Sequence, residues 1–192
     1  MQKIKVTKER KVITYSDLWR TSEFLLKRGT EEELGSYYMF LSCLMFQAFS
    51  LEAFLNHMGE KLFETWGELE KPLSPKAKLG LICEKLKLNI NYGKTPWQIV
   101  PELIGFRNKV AHGKSELLKS EEIVLGGSDK YEKLMHKFLM AEWQEFANKK
   151  NAQRAKKQLE ALFIEVHRAA NMENDFLFEF GAQFRTAKLV QE

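Results

Sequence analysis

The stretch Tyr37–Leu55 (YYMFLSCLMFQAFSLEAFL) limits the fold more than any other part of the chain. A run this long and this apolar must be buried along most of its length, in a bilayer or inside a helical bundle. It is nearly long enough to span a membrane. It also carries Gln47, Glu52 and two serines, then becomes polar toward Asn56 and His57. An ionisable residue inside a lone span is costly. The run therefore reads as the central, mostly buried helix of a soluble bundle, with a membrane span as the alternative.

The rest of the chain agrees with a helical architecture. Four prolines and eleven glycines in 192 residues are few breakers, which favours long helices over a many-turned β fold. Residues 2–13 are ambiguous, because Lys3-Ile4-Lys5-Val6 alternates only briefly. Ser16 looks like an N-cap for a helix reaching Arg28 and closed by Gly29. Thr30 and the three glutamates after it suit another helix start. The large apolar helix is expected from about Gly35 to Trp66. Ser74 before Pro75 should cap a helix running to about Leu88. Thr95, with Pro96 and Gln98, should open the next one, with a kink at Pro101 and a stop at Gly113. From Asp129, Tyr131, Leu134, Met135, Phe138, Leu139, Trp143 and Phe146 recur at three and four, and the period resumes at Leu159. The aromatic tail DFLFEFGAQF should pack on the bundle or on a second copy. The expected fold class is all-α, with about five or six helices. No P-loop, dinucleotide fingerprint or GxSxG elbow is present, so no cofactor is expected.

The net charge is +4. Residues 1–28 hold eight basic and three acidic side chains, and residues 149–157 (KKNAQRAKK) hold five basic and no acidic ones. Such runs are read either as solvated helix faces or as contacts to an RNA backbone. The two cysteines, Cys43 and Cys83, form no CxxC, and the segment MQKIKVTKERKV has no apolar signal-like core. Both fit a reducing, cytoplasmic location. The histidines at 57, 112, 136 and 167 show no HxxxH or HExxH spacing, so no metal site is expected.

The chemistry concentrates in FRNKVAHGK, residues 106–114. At about 100° per residue, Asn108 and His112 lie almost above one another on a helix, with Arg107 about 100° from Asn108. All three can border one cleft while Ile104 and Val110 or Ala111 face the core. Cleaving RNA without a metal requires a proton taken from the 2′-hydroxyl and one given to the leaving 5′-oxygen; histidine titrates near neutrality. It also requires a cation on the phosphate, which arginine supplies with two N–H groups. One motif holds one such histidine. A two-fold dimer bringing two motifs together would supply both proton-transfer groups.

Arg107-Asn108-Lys109-Val110-Ala111-His112 matches the R-x4-H signature of HEPN (higher eukaryote and prokaryote nucleotide-binding) domains. Residues 46–62, FQAFSLEAFLNHMGEKL, resemble the long helix of that superfamily. The resemblance implies a single HEPN-like helical domain over 1–192, with an extension at 1–30 and a tail at 173–192. It implies an antiparallel bundle, a homodimer and, often, a metal-independent endoribonuclease of toxin–antitoxin or antiviral defence systems. Arg107 and His112 would be the catalytic pair, and Asn108 would orient the histidine or touch phosphate. Any antitoxin would be a separate protein. Glu52 and Asn56, one turn apart on the apolar helix, are read as a solvated or hydrogen-bonded pair, or as support behind Arg107 or His112. Lys109, Lys114, Lys149, Lys150 and Arg154 are candidate RNA contacts. The alternative function is a non-catalytic helical module that binds RNA, nucleotide or a protein partner through the same groove.

Overall fold

The computed structural model describes residues 4–172, 177–179 and 181–189. Helix α2 (Ser36–Leu62) is its axis. The apolar run places Leu44, Leu51, Phe54, Leu55 and Met58 at 1% exposure or less. Each such side chain contributes about 1.5–3 kcal/mol of burial free energy, more than any surface ion pair. Around α2 close α1 (Thr14–Glu31), α4 (Pro75–Lys85), α5 (Ile99–Ala111) and α8 (Lys149–Ala169). Among the described residues, α2 is the one helix long and apolar enough to cross a bilayer. Here that length lets it touch several other helices at once.

Three shorter helices complete the set of eight among the described residues: α3 (Trp66–Leu69), α6 (Asp129–His136) and α7 (Glu142–Phe146). The long apolar helix ends at Leu62 rather than running to Trp66. Trp66 instead starts α3 and folds back, with its indole against Gly59, where an added Cβ would lie 2.0 Å from the ring. Gly59 is therefore a packing glycine, since only a hydrogen fits there.

The fold is predominantly helical, but not all-α. β1 (Ile4–Arg10) pairs antiparallel with β2 (Gln183–Leu189) in a two-stranded ribbon. The alternation at residues 3–6 was too short to name a strand, and its partner lies at the other end of the sequence, beyond any local signal. Several boundaries also move. α1 begins at Thr14 with Ile13 as its cap, and Ser16 lies fully buried inside its first turn. α1 runs through Gly29 and Thr30 to Glu31, so these residues end a helix rather than start one. Gly29 is kept small by Met39 and Phe40 of α2. Ser74 does cap α4, accepting a hydrogen bond from the Ala77 N–H at 3.2 Å. α5 opens at Ile99, and Pro101 sits in its first turn, where the missing N–H costs no helical hydrogen bond.

Residues 129–146 depart most from the expected core helix. They split into α6, an extended segment and α7. Met135 and Phe138 stand 67% and 81% exposed. The basic run beyond them is more regular than its charges suggest. Ala152, Ala155, Leu159, Leu162, Phe163 and Val166 make one buried stripe of α8, with alanines carrying the period through the lysines. The aromatic tail falls partly outside the described residues, at 175, 176 and 180. Of the rest, Phe178 stacks on Trp19 of α1, with centroids 5.1 Å apart, and Leu177 is buried. This part of the tail packs on the bundle.

Candidate functional site

α5 is fixed by one stripe. Ile99, Val100, Leu103 and Phe106 are buried, at i, i+1, i+4 and i+7, against α2 and α8. The next residue, Arg107, lies at the edge of that stripe and reaches across to α2. Its Nη2 donates to Glu52 Oε2 at 2.6 Å, with the two side chains 20% and 33% exposed. Among the described residues its Nε and Nη1 make no other hydrogen bond. Glu52 takes one edge of the guanidinium and leaves the rest available to an anion.

His112 comes five residues later, about 140° around the helix from Arg107. It is the C-cap residue, exposed, and its N–H donates to Asn108 O at 3.0 Å. Asn108 is exposed beside it. Gly113 follows, and a Cβ there would meet Lys109 O at 2.8 Å, so the chain leaves the helix through a space only glycine fills. Within one chain, then, Arg107 turns inward onto Glu52 while Asn108 and His112 face solvent. The three border the same end of α5.

Beside this end lies an open groove of about 550 Å³ between α5 and α7, with Phe106, Trp143 and Phe146 among its lining and Lys109, Glu142 and Asn151 at its edge. Phe106 and Phe146 meet at 5.2 Å between ring centroids. Pro101, Gly105 and Lys109 of α5 line the groove, and their stripe leads along the helix to His112.

No protein family, curated protein or solved structure matches the chain.

The basic candidates divide into two groups. Arg154 is clamped to Glu102, with Nη1 3.0 Å from Oε1 and Nη2 2.5 Å from Oε2. The carboxylate holds the guanidinium pKa above its usual value. Lys109 is ion-paired with Glu142 across the groove. These two cations are engaged. Lys114, just past Gly113, and Lys149 and Lys150, in the first turn of α8, are exposed and make no ion pair among the described residues.

Asn56 does not sit behind Arg107 or His112. Its Oδ1 accepts from the Lys78 ammonium at 2.7 Å, and Lys78 is 5% exposed. Its work is to satisfy a buried cation on α4, which would otherwise lack a partner. Glu102, Glu142 and Lys78 were not legible as site neighbours, because each meets its partner across a long sequence gap. Among the described residues, no three His, Cys, Asp or Glu side chains come together as a metal ion would need.

Two further histidines lie away from this helix end. His57, on α2, lies 5.1 Å from the Tyr15 ring. Burial, followed by the nearby Lys61, Lys11 and His167 charges, pushes its pKa down to about 4. His167, 1% exposed on α8, is lowered as well, by burial, and its Nδ1 has no hydrogen-bond partner. Both favour the neutral form and suit a packing role.

Proposed function

We propose that the chain is a metal-independent endoribonuclease of the HEPN type, acting as a homodimer whose cleft draws Arg107 and His112 from both protomers. The observation that carries the reading is the Glu52–Arg107 contact. A carboxylate on the long helix holds the motif arginine in place while leaving part of its guanidinium free, next to an exposed histidine at the same helix end. In the proposed reaction one His112 takes the 2′-hydroxyl proton. The resulting alkoxide attacks the adjacent phosphorus, and the P–O5′ bond breaks. The partner His112 protonates the leaving oxygen. Arg107 neutralises the charge on the phosphoryl oxygens, and Asn108 orients the histidine or contacts phosphate. The products are a 2′,3′-cyclic phosphate and a 5′-hydroxyl.

The dimer has two supports. One chain supplies one His112 while the reaction needs both a base and an acid, so a shared cleft needs a second copy. The stretch after His112 also leaves Leu117, Ile123 and Leu125 between 82% and 100% exposed, apolar surface that a partner would cover. Such an enzyme fits a toxin or defence nuclease restrained by a separate antitoxin.

The test is incubation of mixed RNA with the purified protein in excess EDTA, followed by analysis of the new ends. Wild type should leave cyclic phosphates, and Arg107→Ala and His112→Ala should each cut at least about a hundredfold more slowly. Equal cleavage by all three proteins would take the chemistry away from this helix end, and no cleavage by the wild type with RNA still bound would favour the alternative: a binding module that uses the same helix end without chemistry.

A further inference from the structure

The β1–β2 ribbon is the part of the fold that packing explains least. All seven residues of β1 and residues 183–188 of β2 are exposed, so neither face is covered. A bare two-stranded ribbon is marginal in water. Its pairing makes matters worse: Lys5 stands opposite Lys188 and Lys8 opposite Arg185. Like charges directly across a ribbon repel. Lys5, Lys8, Arg10, Arg185 and Lys188 face one carboxylate in the ribbon, Glu9, and none of the five has an ion pair among the described residues.

The ribbon is nevertheless anchored firmly at its base. The Lys11 N–H donates to Ala182 O at 3.2 Å, Gly181 takes a positive φ of 75° against the Lys11 carbonyl, and Arg20 Nη2 donates to Phe178 O at 2.5 Å. A fixed arm thus holds a cluster of uncompensated cations away from the core.

We propose that this ribbon is a docking arm for single-stranded RNA, a proposal that rests on RNA being the substrate. Strand alternation puts Lys5/Lys188, Thr7/Thr186 and Glu9/Phe184 on one face, and Lys8/Arg185 and Arg10/Gln183, with Ile4, Val6 and Ala187, on the other. Lysine, arginine and threonine are phosphate donors. Phe184, 69% exposed beside them, offers a ring on which a base stacks. A membrane-seated ribbon would need one continuous apolar face. Here one face carries Lys5 and Lys188, and the other carries Lys8, Arg10 and Arg185 beside Ile4 and Val6, so neither is apolar throughout.

The test uses the full chain in a His112→Ala background, so that RNA stays intact. Binding of a labelled, mixed-sequence single-stranded RNA is followed across a salt series. Replacing Lys5, Lys8, Arg185 and Lys188 together with glutamine should weaken binding at least tenfold at low salt. The slope of log affinity against log salt should shrink by about 3, at about 0.7 per lost phosphate contact. The melting temperature should hold or rise, because two repulsive pairs are removed. Phe184→Ala should weaken binding without changing the slope. Unchanged affinity and slope in the fourfold variant would overturn the proposal. So would absence of RNA binding before substitution, or loss of binding to anionic vesicles with RNA binding intact. A His112-intact chain that binds RNA through the ribbon but cuts none would sink the nuclease and keep the arm. One that cuts RNA equally well with and without the four cations would sink the arm and keep the nuclease.

Discussion

Arg107 owes its position to Glu52, and the strength of that contact separates two roles. The pair is partly exposed, so it contributes at most about 1 kcal/mol to stability. Its value lies in orientation. Glu52→Gln should leave melting almost unchanged while slowing cleavage by about tenfold to a hundredfold, as expected when a catalytic cation is misplaced. A large drop in melting temperature with normal cleavage would make the pair structural. His57 yields a prediction of a different kind. Its folded pKa of about 4 lies below the ordinary 6.5, so the unfolded chain binds the proton first. Its contribution to stability is complete above about pH 6.5 and is lost as pH falls toward 4. Denaturant midpoints measured across that window should fall with pH, and His57→Phe, which keeps a ring against Tyr15, should flatten the curve in part. His167 would carry the remainder; parallel curves would refute the assignment. At this scale the sequence was informative where residues are neighbours on one helix. Arg107, Asn108 and His112 could be placed by counting. Lys78 under Asn56 could not, nor Glu102 under Arg154, because nothing local ties those pairs together.

Among the elements, α2 was legible because its composition leaves few other fates. Its end was not. The helix stops at Leu62 because Phe63 turns extended and Trp66 must return over Gly59. Gly59→Ala should therefore cost about 1–3 kcal/mol through overpacking against the indole, read as a shift in the denaturation midpoint. A neutral effect would mean that α3 lifts away at little cost. The stretch 129–146 was misread for a reason that applies widely. A period of three and four marks an amphipathic helix, but it does not say that the apolar face meets the rest of the same chain. The ribbon was missed for the opposite reason: strand pairing is a property of two segments, and residues 4–10 looked like an isolated basic stretch until residues 183–189 were placed beside them.

At the scale of the whole molecule, the proposed cleft needs two copies of the chain. One chain has one His112, whereas the proposed reaction needs an acid and a base around a single phosphate. The most direct measurement is subunit mixing. His112→Ala protomers are coexpressed with wild-type protomers at several ratios, total protein is held constant, and RNA cleavage in EDTA is plotted against the wild-type fraction. If the cleft needs both histidines, only wild-type pairs cut. Activity then follows the square of that fraction, reaching about a quarter at equal amounts. A straight line, with about half the activity at equal amounts, would place a complete site in each protomer and contradict the shared cleft.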